Sequence, residues 1–73
     1  MTKVTVMTDG VNELAVEMLE TDAEVRGAAS VRCLLNGIAA LFENEEDAQA
    51  FRQHCLTHER HRGKLANLSI GEA

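Results

Sequence analysis

The chain has 73 residues, 45% of them apolar and 26% charged, with a formal net charge of −5. That size allows one domain, residues 1–73, burying only about 60% of the surface its unfolded form exposes, and no apolar run is long enough to span a membrane. The acidic balance argues against nucleic acid, whose phosphates need a dominant cationic field. The opening MTKVTVMTDG has neither an apolar signal core nor a small-residue cleavage site, so the expected location is the cytoplasm.

The charge is uneven. Residues 1–50 carry ten acids against three bases, and residues 51–73 carry two acids against four. Cys33 and Cys55 have no paired spacing and read as small buried apolar side chains rather than as a disulfide.

In chain order, KVTVMT at 3–8 alternates Val4 and Val6 with Thr5 and Met7, which predicts a half-buried strand. Asp9-Gly10 breaks it. Val11, Leu14, Ala15, Met18 and Leu19 then recur at helical spacing and predict a helix over 11–22, with Glu13, Glu17 and Glu20 on its wet side. A strand through Leu14, Val16 and Met18, with Asp9-Gly10 as a hairpin turn, is the rival reading. It explains three apolar positions instead of five.

SVRCLLNGIAALFE at 30–43 places two apolar runs around Asn36-Gly37. A type I′ turn needs positive φ at both central residues, which Asn and Gly tolerate best, so a hairpin is expected with Leu35 opposite Ile38, Cys33 opposite Ala40 and Val31 opposite Phe42. Asn44 then reads as an N-cap, with Glu45, Glu46 and Asp47 complementing the dipole of a second helix. That helix is expected to bury Ala48, Phe51, Cys55 and Leu56 and to stop near Gly63, followed by a short strand in LANLSI.

The order is therefore strand, helix, strand, strand, helix, strand. This is an α+β two-layer domain on the ferredoxin-like β-α-β-β-α-β plan, with an antiparallel sheet and a central Asn-Gly hairpin. The fallback is an antiparallel β-meander covered by one C-terminal helix.

The densest chemistry lies in AFRQHCLTHERHRGK, residues 50–64. On a continuous helix, His54, His58 and His61 would share one stripe, with Cys55 at its edge, a donor set suited to Zn²⁺ or another transition metal. The plainer explanation is that His58, Arg60, His61, Arg62 and Lys64 satisfy the negative end of the helix, with no metal or other cofactor involved.

No enzymatic constellation stands out. Cys55 with His58 lacks an orienting group and oxyanion donors, the acidic run after Asn44 lacks the ligand spacing of a calcium loop, and Asp9-Gly10 has no glycine-rich phosphate cradle. The chain has no Trp or Tyr, and both phenylalanines are assigned inward, so no aromatic remains for stacking on bases.

The alternation leaves Met7, Leu34, Ala39 and Leu41 on the side of the sheet away from the helices, too apolar for free solvent. The sequence therefore reads as a small acidic, non-enzymatic interaction module, pairing with itself as a homodimer or with another protein through that face. A metal-binding protein using the histidines is the alternative.

Overall fold

A computed structural model describes residues 1–58, 61 and 63–72. The chain runs β1 (Thr2–Thr8), α1 (Glu13–Val25), β2 (Ser30–Leu34), β3 (Gly37–Phe42), α2 (Glu45–Thr57) and β4 (Leu65–Glu72). The strands form one sheet in the order β2-β3-β1-β4, and every neighbouring pair is antiparallel. Each strand–helix–strand unit is thus split by an inserted strand, as the ferredoxin-like plan requires. Among the described residues no helix is long and apolar enough to cross a membrane.

Both helices pack on one face of the sheet. Val4, Val6, Ile38, Ala40 and Phe42 from the two central strands meet Val16, Leu19 and Ala23 of α1 and Ala48, Phe51 and Cys55 of α2 in a single cluster. The Phe42 and Phe51 rings lie 5.6 Å apart at its centre. Leu65, Leu68 and Ile70 of β4 close the flank, and the strand continues beyond the LANLSI stretch to Glu72.

Local chemistry fixes the helix ends. The Asn12 side chain accepts from the Ala15 amide at the start of α1. At its other end Gly27 adopts φ +95°, while the Gly27 amide donates to Glu24 and the Ala28 amide to Ala23, the bond pair of a glycine-terminated helix. The expected helix is therefore present but ends three residues later than 22, at Val25. Its buried stripe is also rotated to Ala15, Val16, Leu19 and Ala23. Val11 precedes the helix and Leu14 faces solvent, because the small Ala15 and Ala23, not the bulkier Leu14 and Met18, allow close approach to the sheet.

α2 begins as expected, with Asn44 accepting from the Asp47 amide at 2.8 Å. It stops at Thr57, well before Gly63, and His58 turns out into extended backbone. Gly63 instead supplies a positive φ in the turn that leads to β4. Arg60 and Arg62, which were expected to cap the helix, lie outside the described residues. Leu56 is largely exposed rather than part of the buried stripe.

The β2–β3 hairpin forms, but its register differs from the expected one. Cys33 pairs with Ile38, Val31 with Ala40 and Leu34 with Gly37, so Leu35 and Asn36 make the turn. No described non-glycine residue has positive φ, which rules out a type I′ turn centred on these two. Gly37 belongs to the strand for a different reason. A Cβ there would collide with the Val6 carbonyl and stand 2.9 Å from Met7 Cα, so only glycine can pair with Met7 at this crossing.

The slip is by two residues, an even number, so every side chain keeps its expected face. Its cost falls on the hairpin tip and the β2 edge, where Leu35 is 78% exposed and Cys33 is also exposed. Behind the turn, the buried Thr8 receives the hairpin. Its amide donates to the Asn36 carbonyl, and its hydroxyl lies 2.9 Å from that carbonyl and 2.8 Å from that of Gly10.

Gly37→Ala is expected to destabilise the domain by roughly 1–3 kcal/mol through overpacking of the β1–β3 crossing. Gly71→Ala, with nothing within 4 Å of the added carbon, should change stability by less than about 0.5 kcal/mol. Equilibrium urea unfolding of the two variants checks the contrast.

Candidate functional site

Three ionisable side chains from three segments converge beside the core. Asp22 sits in the last turn of α1, one residue before the core-facing Ala23. His54 occupies the last turn of α2, next to the buried Cys55. His61 lies in the connection to β4 and is 1% exposed, one of the two buried polar residues of the described chain.

The Asp22 Oδ2 atom joins both histidines, lying 2.6 Å from His61 Nε2 and 3.1 Å from His54 Nε2. Arg26 reaches His54 from the other side, with its guanidinium nitrogen 3.0 Å from Nδ1. An arginine can only donate, so His54 Nδ1 accepts and its Nε2 carries the proton given to Asp22. Partial burial pushes the Asp22 carboxyl up, but the hydrogen bonds from His61 and His54 outweigh it and hold it below its ordinary value.

This convergence explains the early end of α2. Had the helix continued, His61 would have stayed on its outer stripe. Leaving the helix at His58 instead lets the chain fold back through successive turns, His61 amide to His58 carbonyl and Lys64 amide to His61 carbonyl, and brings the imidazole under Asp22. A buried imidazole needs such a partner, since leaving it unpaired costs about 1–3 kcal/mol.

Of the four residues expected as metal ligands, His54 and His61 come together and Cys55 does not. Cys55 is fully buried among apolar side chains, and burial first, then the nearby Asp22 charge, push its thiol up to about 12 despite Arg26. It is a core residue and not a thiolate ligand or nucleophile. His58 caps α2 with its ring centre 4.8 Å from that of His54 and 6.0 Å from that of His61.

The ligand atoms of Asp22, His54 and His61 all lie within 4.8 Å of one another, close enough for one cation. Sequence reading missed Asp22 because the partner lies 32 and 39 residues away from the histidines. Its one local signal is a carboxylate three residues after Leu19, at the border of the buried stripe.

Met7, Leu34, Ala39 and Leu41, the expected contact residues, are half-buried and lie on the sheet face opposite the helices. Cys33, expected in the core, is exposed on the β2 edge. A hydrogen bond with Glu20, together with the charges of Glu20, Glu24 and Glu17, raises its thiol.

Asp22→Asn, in the presence of a chelator, is expected to cost about 1–3 kcal/mol at neutral pH. A carboxyl held low in the folded state contributes stability above its unfolded value and loses it as pH falls through the folded one. The gap between wild type and variant should therefore close as urea titrations are taken from neutral pH to well below pH 4. A gap that is constant with pH would remove the ionised Asp22 from the account. In comparisons with known proteins, no family model, no curated protein and no solved structure matches the chain.

Proposed function

We propose that the protein is a non-enzymatic interaction module that binds a second copy of itself through the outer face of its sheet. One observation carries this reading: the open face has an apolar centre and a polar rim. Across the sheet the outward-facing rows run Ser30–Leu41–Lys3–Gly71, Arg32–Ala39–Thr5–Ser69 and Leu34–Gly37–Met7–Asn67. Leu41, Met7 and Leu34 surround Ala39 and Gly37, with Thr5 beside Ala39 on the same central pair of strands; Lys3 stands at the far end of β1, and Arg32, Asn67 and Ser69 lie on the two edge strands.

An antiparallel sheet with one wet face ordinarily alternates apolar and polar residues strictly. Here the central strands put Leu41, Ala39 and Met7 where polar residues would be expected, and neither helix covers them. Apolar centre within polar rim is the anatomy of a contact surface. A second copy would meet the patch about a two-fold axis, the commonest symmetry of soluble assemblies.

Size sets the strength. A standard interface takes about 800 Å² from each partner, nearly a fifth of the 4441 Å² this chain exposes. The apolar centre alone falls short of that, so the rim must be engaged as well and the dimer should be a concentration-dependent one.

Leu41→Glu is expected to convert a micromolar-range dimer to monomer by placing a charge at the centre of the contact. Sedimentation velocity across a concentration series, with circular dichroism to show that the variant folds, checks this. A wild type that remains monomeric to about 100 μM, well above that range, rules the proposal out.

A further inference from the structure

The Asp22–His54–His61 cluster carries a separate inference that does not depend on the dimer. We propose that Asp22, His54 and His61 bind a zinc-class transition-metal ion through three protein ligands, with the fourth position left to solvent. Imidazole and carboxylate donors suit zinc and its neighbours, whereas calcium and magnesium take oxygen ligands.

The geometry is close to what such an ion needs. Ligands at about 2.0–2.1 Å in a tetrahedron stand roughly 3.3 Å from one another. Asp22 Oδ2 lies 3.1 Å from His54 Nε2 and 2.6 Å from His61 Nε2, and all three ligand atoms lie within 4.8 Å of one another, so the Asp22–His61 contact must open by under about 1 Å and the two histidine nitrogens must draw together by up to about 1.5 Å. Imidazoles bound through Nε2 to one tetrahedral ion place their ring centres roughly 5 Å apart. The spacing here is 5.6 Å for His54 and His61.

Arg26 makes the proposal specific. Arg26 donates to His54 Nδ1. An ion at Nε2 requires the proton to move to Nδ1, which then donates and can no longer accept from a guanidinium. Arg26 lies on the surface and is free to swing away, but while it stays it opposes the metal by its charge and by holding the wrong tautomer. It acts as a gatekeeper of the site, and its removal should strengthen binding.

The test uses Co²⁺ as an optical probe, then Zn²⁺ in competition, on chelator-treated protein. Expected are one ion per chain, visible absorption of tetrahedral strength without a thiolate charge-transfer band, at least about tenfold weaker binding in Asp22→Asn, and about threefold or more tighter binding in Arg26→Ala. Absence of saturable binding at micromolar metal overturns the proposal, as does an affinity that Asp22→Asn leaves unchanged. Should that variant fail to fold, Arg26→Ala decides, since it alters an exposed side chain; affinity unchanged or weakened there overturns the proposal equally.

Discussion

The structure depends on one constraint: a four-stranded sheet of this size has enough helix to cover a single face. Val4, Val6, Ile38, Ala40 and Phe42 take that cover, and the residues between them along the same strands must face outward because side chains alternate. The open apolar face is therefore a by-product of the same alternation that builds the core. Gly37 tightens the arrangement, since β3 can approach β1 closely enough at Met7 only where a side chain is missing.

Where the apolar core runs out, polar chemistry takes over. A domain this short has little burial to draw on, and its two cysteines are unpaired, one exposed and one buried. Asp22, His54 and His61 tie the ends of both helices and the approach to β4 at a single oxygen atom. Such a knot is directional where the core is not, so it selects one path for the chain leaving α2. The same convergence that satisfies a buried imidazole also assembles donors around a point in space, and structural and ligand-binding roles become difficult to separate by composition alone.

Element type and order were legible in the sequence because they rest on local signals. Asn44 with its acidic followers marks a helix start, and Val4 and Val6 alternate as a strand should. What escaped was set by distant residues. The turn moved back one residue because β1, thirty residues earlier, claims Gly37. The stripe of α1 turned because two alanines pack closer than leucine does. The helical histidine stripe failed because Asp22 draws His61 away from the helix axis, and no periodicity within 50–64 could reveal that pull. Two histidines of the candidate site were singled out in the sequence, though through a helical spacing that ends at Thr57, and their acidic partner was visible only after folding.

The pairing of Thr2 with Glu72 joins the two ends of the sheet's longest excursion. Closing that loop costs about 2.5 kcal/mol more in chain entropy than closing the tight β2–β3 hairpin. β4 is also an edge strand, held by β1 on one side only. The other edge, β2, is reached through the short hairpin, so β4 carries the larger closure cost. The buried His61, bonded to Asp22, stands just ahead of Leu65, so the histidine knot fixes where this border strand begins.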